Sequence, residues 1–260
     1  AESYRKIRNT FRYLLGNLND NFDELELEKI EINELPELEQ YMLHKIYLLN
    51  DNFKSYFSNY DFHNLYKELL NFCTVDLSAF YFDIRKDVLY CDPIESKKRK
   101  STIILLNVIL NSLLKWFAPI LSFTTEEIYR LILKTNKSIH LEKFIDFPEQ
   151  FKNVELNNKM SEIIKIRDLC NISIEEKRAT KEIGSSLEAD IEIRLNKKLY
   201  KLTQGLDFAE LCITSKSSIV QNDNDKIIVT TKKAEGIKCS TCWKFKIESC
   251  KRSTCPISNL

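Results

Sequence analysis

Apolar residues recur at three- and four-residue spacing along most of this 260-residue chain, the period of an amphipathic helix. In residues 2–17 the face is made by Tyr4, Ile7, Phe11, Leu14 and Leu15, and Leu18 continues it. The period returns over 38–57 through Leu38, Met42, Ile46, Leu49 and Phe53, and again over 62–73. Asn59 and Asp61 mark the break between those two helices. Asp76 is expected to cap a further segment, 76–92, whose Leu77, Phe80, Tyr81 and Ile84 face a core rather than a base-stacking surface. Residues 138–148 read as extended, and a long helix is expected over 157–178. After a turn at 183–189 containing Gly184, the period changes to two. Ile191, Ile193 and Leu195 alternate with charged residues over 189–195, a strand pattern, and short strands are expected at 211–214 and 226–230.

The most apolar stretch is 101–132. Ile103, Leu106, Ile109, Leu110, Leu113, Leu114, Phe117 and Leu121 follow the helical period, and Leu105, Val108 and Trp116 widen the apolar surface. A helix apolar over most of its circumference is buried on several sides. Its length approaches the roughly 20 residues that cross a bilayer. Asn107, Asn111, Lys115 and Pro119 interrupt it, however, and four basic residues lead into it, so it reads as the central helix of a soluble bundle. Pro119 ends or kinks that helix. Thr124 and Glu127 have the spacing of a capping box that restarts it.

Composition narrows the fold class to mainly α. Only four Gly and five Pro are present, too few for an all-β chain of tight turns. The expected organisation is a helical domain over 1–150, a small mixed α/β region over 151–235 and a cysteine-rich terminus over 236–260. The chain opens at Ala1 inside an amphipathic helix, without an initiator Met or a signal peptide, so a longer, cytoplasmic protein is expected. A formal net charge of +1 hides local asymmetry: residues 22–39 carry eight acidic side chains against Lys29 alone. Such a loop repels a polyanion and is expected to face away from nucleic acid. Arg5, Arg8 and Arg12 form a basic stripe on the first helix, either a solvated flank paired to acidic neighbours or a line of phosphate contacts. Lys97, Lys98, Arg99 and Lys100 stand at the start of the central helix, where cations oppose the macrodipole, which makes them candidates for phosphate contacts as well. No Gly-rich phosphate loop and no His-bearing metal helix occur in the sequence, and His44, His63 and His140 are isolated.

The cysteines divide into two sets. Cys73, Cys91, Cys170 and Cys212 are scattered in apolar or mixed settings, as small buried hydrophobes are. Cys239, Cys242, Cys250 and Cys255 crowd the terminus, and four thiolates suit one tetrahedral, structural zinc ion. A redox Cys-x2-Cys is the rival reading, and it calls for a helix N-terminus at the first thiol. Trp243, Phe245 and Ile247 instead alternate with Lys244 and Lys246, as in a strand, which favours zinc.

Several stretches together carry a resemblance: YRKIRNTFRYLLGNLND at 4–20, DLSAFYFDIRKDVLY at 76–90, APILSFTTEEIY at 118–129, EEKRATKEIGSSLEA at 175–189, then KCSTCW at 238–243 and CPISNL at 255–260. In this order they resemble the C-terminal part of the bacterial isoleucyl-tRNA synthetase family, within the class I aminoacyl-tRNA synthetases. Valyl and leucyl relatives share the helical bundle, but the CxxCW ribbon favours the isoleucyl family. The spacing from Cys250 to Cys255 departs from the family's pattern by two residues. The resemblance implies an anticodon-binding helical domain followed by a zinc ribbon, acting as a monomer that grips isoleucine tRNA. The implied contacts are Arg5, Arg8, Arg12, Lys97, Lys98, Arg99, Lys100 and Trp243. It also implies that ATP is bound in an N-terminal catalytic region absent from these residues, so the 260 residues alone are expected to make no isoleucyl-adenylate. A free-standing zinc-ribbon module for nucleic acid and the tail of a zinc-ribbon DNA glycosylase are the alternatives; the latter needs an N-terminal catalytic Pro that AESYRK lacks.

Overall fold

α1 (Glu2–Leu18), α2 (Glu37–Ser58), α3 (Phe62–Asn71), α4 (Phe82–Cys91), α5 (Lys97–Phe117) and α6 (Ser122–Leu133) come first, with a π-helical stretch at Phe72–Tyr81. α7 (Val154–Ala179), β1 (Ala189–Leu195), α8 (Lys197–Leu202), α9 (Phe208–Leu211), β2 (Lys216–Gln221), β3 (Ile228–Lys233), β4 (Ile237–Lys238) and β5 (Phe245–Lys246) follow. The computed structural model describes residues 1–18, 22, 26–134 and 136–247. They divide into two units. The first is Ala1–Arg85 with Ile94–Val154; the second is Lys86–Pro93 with the described residues from Glu155 onward.

The first unit is helical and its core is α5. Leu105, Leu106, Ile109, Leu110, Leu113, Trp116 and Phe117 are fully enclosed, as the all-round apolar pattern requires. Burying one such side chain contributes about 1.5–3 kcal/mol. Phe11 of α1 meets Phe117 edge to face at 6.1 Å, and Phe53 and Phe72 approach Trp116 at 6.1 and 6.3 Å. The Trp116 indole N–H donates to Asn50 Oδ1 at 3.1 Å, and the Asn50 amide donates to the Ile145 carbonyl at 3.0 Å, so neither buried polar group is orphaned. His44 is structural too: buried, with Nδ1 accepting the Asn153 N–H at 3.0 Å. Among the described residues no helix is long and apolar enough to cross a membrane.

Three expectations for this unit are corrected. Asp76 caps nothing. It lies within the π-helical stretch and pairs with Lys45, while the Ser78 hydroxyl donates to the Cys73 carbonyl, five residues back, at 2.8 Å. The helix continues through the π-helical residues 72–81 into α4 instead of ending at Cys73, the Phe82 N–H donating to the Leu77 carbonyl. Thr124 is not an N-cap, because α6 already starts at Ser122 with no side-chain cap, and the Thr124 hydroxyl bonds Tyr4 Oη at 3.0 Å. α5 starts before residue 101: Ser96 is its N-cap, accepting from the Arg99 N–H at 3.5 Å, and the basic run is its first turn.

In the second unit α7 and a three-stranded sheet of order β2-β1-β3 make the core. β1 is central, parallel to β2 and antiparallel to β3, with Ile191 opposite Ser217 on one side and Thr231 on the other. Ile191, Ile193 and Leu195 are fully buried, as their alternation predicts. Two parallel neighbours need a crossover, and α8 and α9 lie in it. The strand expected at 211–214 is instead the end of α9 and a turn, because Asp207 caps that helix by accepting the Ala209 and Glu210 N–H groups at 2.9 and 3.2 Å. The strand expected at 226–230 lies at β3. Residues 237–247 of the cysteine-rich terminus belong to this unit as the hairpin β4–β5.

Candidate nucleic-acid interface and thiol knuckle

α1 presents its cations to solvent. The apolar face of Ile7, Phe11, Leu14 and Leu18 turns inward, so Arg5, Arg8 and Arg12, at i, i+3 and i+7, are left on the exposed side. Among the described residues none of the three has an acidic partner. Lys6 is the one cation of α1 that does, reaching Glu2 at 3.2 Å. Of the two readings of the stripe, the described residues show no paired flank.

The second basic run is different. Lys97 pairs with Glu34 and Lys100 with Glu95. These bonds hold both carboxyls below their usual pKa range, the direct hydrogen bond to the lysine being the larger cause in each. Lys98 and Arg99 are half-buried along the first turn of α5. The acidic loop lies against this basic run: Glu26, Glu31 and Glu34 line one groove of about 660 Å³ together with Lys97 and Lys100. Cations opposing the α5 macrodipole are offset by carboxylates from a distant stretch of chain.

Beneath that first turn lies a buried network missed in the sequence. Glu39, in the first turn of α2, is fully enclosed and receives the Arg85 guanidinium on both oxygens at 2.6 Å. Tyr81 Oη donates to the same carboxylate at 2.9 Å and Thr102 Oγ1 approaches at 3.4 Å. Burial pushes the Tyr81 phenol well above its ordinary pKa, and the adjacent Glu39 charge adds to the shift.

In the second unit, Cys239 and Cys242 are both buried in a tight turn. The Thr241 and Cys242 N–H groups point at Cys239 Sγ at 3.4 Å, and the Trp243 N–H donates to the Cys239 carbonyl at 2.9 Å. Trp243 takes a left-handed φ of 60° and is 60% exposed. Gly236 has φ 113°, and a Cβ there would collide with the Lys246 carbonyl, so only glycine lets β4 and β5 close. The hairpin is held to its unit by Lys244 Nζ to Asp87 Oδ2 at 3.5 Å, and by the Phe245 N–H to Ser215 Oγ at 2.6 Å. Cys91, at the end of α4, is buried against the two knuckle cysteines, a proximity that its isolated place in the sequence gives no sign of. Among the described residues no three His, Cys, Asp or Glu side chains converge enough to hold a metal. Cys250 and Cys255 lie outside the described residues. Burial raises the pKa of the Cys242 thiol, and deeper burial lifts that of Cys73 to about 12, so Cys73 is an inert core group.

The helical unit thus presents an arginine stripe that has no acidic partner among the described residues. Residues 39–193 match the family described as the anticodon-binding domain of tRNA ligase, and the chain belongs to that family. Its relatives include the isoleucine–tRNA ligase of Pelagibacter ubique, 65% identical over 252 residues, which cover 97% of this chain and 28% of that protein. The isoleucine–tRNA ligase of Agrobacterium fabrum is 38% identical over 256 residues, covering 94% of this chain and 26% of the relative. The enzyme of that name from Bartonella henselae is also 38% identical, with the same coverage. The chain therefore spans about a quarter of the length of these relatives. It carries the anticodon-binding domain of a tRNA ligase and is similar to the matching part of isoleucine–tRNA ligases, and neither a free-standing ribbon module nor a glycosylase tail is favoured.

Proposed function

We propose that this chain is the tRNA-gripping part of an isoleucine–tRNA ligase that joins isoleucine to its tRNA using ATP, with the ATP chemistry carried by a catalytic region beyond these residues. It binds the anticodon stem and loop of isoleucine tRNA, acts within a cytoplasmic, monomeric enzyme, and so places the acceptor end in a distant active site. The single observation that carries the binding role is the α1 stripe: three arginines, exposed and without acidic partners among the described residues, on a chain whose residues 39–193 match an anticodon-binding family. Arginines fix register on phosphates, while exposed aromatic and polar side chains read unstacked bases. Trp243, exposed on the hairpin, is one such aromatic.

We also propose one structural zinc ion held by Cys239, Cys242, Cys250 and Cys255. The knuckle fits half of such a shell. Its two thiols are buried in one turn, and two N–H groups point at Cys239 Sγ, which favours the thiolate that zinc requires. Bound there, zinc would cross-link the terminus.

Titrating isoleucine tRNA against the chain over a range of salt tests the binding role. Log affinity should fall linearly with log salt, each phosphate contact contributing a slope of about 0.7–0.9. Changing Arg5, Arg8 and Arg12 together to Ala should flatten that slope by about two units. The Lys97–Lys100 run, changed to Ala, tests the second patch, whose lysines 97 and 100 are already matched by Glu34 and Glu95. An unchanged slope in that variant leaves the contacts on α1. An unchanged slope in both variants removes the phosphate-contact role from α1 and α5 alike.

A further inference from the structure

We infer that Phe123, with Tyr4 and Arg8, forms a stacking site for an unpaired nucleotide of the bound RNA, an inference that rests on the tRNA-binding reading above. Phe123 is 93% exposed, more than any other large apolar side chain among the described residues. It is the second residue of α6, and its neighbour Thr124 is hydrogen-bonded to Tyr4 Oη at 3.0 Å. That bond fixes the first turn of α6 against the first turn of α1. Phe123 is one residue, about 3.8 Å of backbone, from the bond on one side. Arg8 is one helical turn, about 5.4 Å, beyond Tyr4 on the other. Phe123, the half-exposed Tyr4 and Arg8 are thus exposed residues set around one α1–α6 junction, within reach of a short run of nucleotides.

A lone exposed aromatic requires no explanation. This one stands beside the residue that bonds α1, whose three arginines have no acidic partner among the described residues. α1 carries Arg5, Lys6, Arg8 and Arg12 against Glu2 alone, and Glu2 is taken by Lys6. A partner here must bring negative charge to the arginines and a flat face to the phenyl ring. Single-stranded RNA brings both, because its phosphates are fixed charges and every base has a π-face. A docked protein segment would instead have to enclose Phe123 in an apolar pocket while supplying carboxylates to each arginine.

The test is tRNA affinity of four variants, each checked for native helicity by circular dichroism. Phe123 makes so little contact that its replacement should leave the fold intact. Phe123→Ala should weaken binding about tenfold, within the range of base–aromatic stacking, and leave the salt slope unchanged. Phe123→Trp should restore affinity, whereas Phe123→Leu, apolar but without a π-face, should not. Arg8→Ala should lower the slope by about one contact. If Phe123→Ala binds tRNA like the wild type, the stacking site is wrong and the tRNA-binding reading stands. If the wild type itself binds no tRNA, both fall. If Phe123→Leu keeps full RNA affinity while Phe123→Ala loses association with the separately produced remainder of the ligase, Phe123 belongs to a protein interface and the inference is overturned.

Discussion

Arg85→Met should destabilise the helical unit by about 3–5 kcal/mol, the loss seen when one partner of a buried ion pair is removed and the other charge is left without compensation. Glu39 is 0% exposed and Arg85 2%. Both carboxylate oxygens are engaged by the guanidinium, and Tyr81 and Thr102 complete the shell. Without the guanidinium, the enclosed Glu39 carboxylate loses its counter-charge and two hydrogen bonds, and Tyr81 loses its fixed acceptor geometry. A unit of this size should melt about 10 °C lower. Removing both charges should recover much of that loss, since apolar groups of similar volume can replace a buried pair at little cost. Guanidinium unfolding of Arg85→Met, Glu39→Leu and the double variant measures both statements. A single variant within 1 kcal/mol of the wild type would show that the pair contributes nothing net. The network ties α2, the π-helical stretch, α4 and α5 together beneath the first turn of α5, so its loss should also loosen the setting of Lys97 and Lys100.

How much of this was legible beforehand depends on where the information sits. α1, α2 and β1 were readable to within a residue or two because their burial follows a single local period, 3.6 for Ile7, Phe11 and Leu14, and 2 for Ile191, Ile193 and Leu195. The π-helical stretch was not, because Cys73, Leu77, Phe80, Tyr81 and Ile84 satisfy an α spacing equally well. What distinguishes it is a hydrogen-bond register, shown by the Phe82 N–H donating to the Leu77 carbonyl five residues back. β2 was missed because KSSIVQ is mostly exposed and has no alternation; it is a strand through its ladder to β1. LCIT at 211–214 reads as β-branched and apolar, yet the Asp207 cap outweighs that preference. At the candidate interface the composition of both basic runs was plain, but only tertiary pairing separates them. Glu34 lies 63 residues from Lys97, and no local pattern announces that one run is neutralised and the other is not. The exposure of Phe123 was hidden in the same way. Phe123 stands inside the most apolar stretch, just before the helix start expected at Thr124, whereas α6 starts at Ser122 with Phe123 in its exposed first turn.

Removing zinc is the second large effect expected, and it should be confined to the terminus. Structural zinc supplies about 10–16 kcal/mol to small zinc-dependent folds. The hairpin has little else of its own, since Ile237, Trp243 and Ile247 are 72%, 60% and 76% exposed and bury little. The Lys244–Asp87 pair and the Phe245–Ser215 bond dock it, and the hydrogen bonds within the turn set its two thiols close together. A chelator should therefore disorder residues 237–247 and change the fluorescence of Trp243. The helical unit, built on its own core around α5, should keep its melting temperature, with the enclosed Trp116 as the unresponsive control. Metal analysis should find one zinc per chain in the wild type and almost none in Cys239→Ser or Cys242→Ser. Cys250→Ser is the sharper variant, because four residues separate Cys250 from Cys255 where a tight knuckle uses two. Full zinc affinity in that variant would take Cys250 out of the shell. Cys91→Ser should retain its zinc, since Cys91 is buried beside the knuckle without completing a three-ligand group among the described residues. Loss of zinc in Cys91→Ser would instead make α4 a ligand-bearing element, and a wild type without zinc would remove the site altogether.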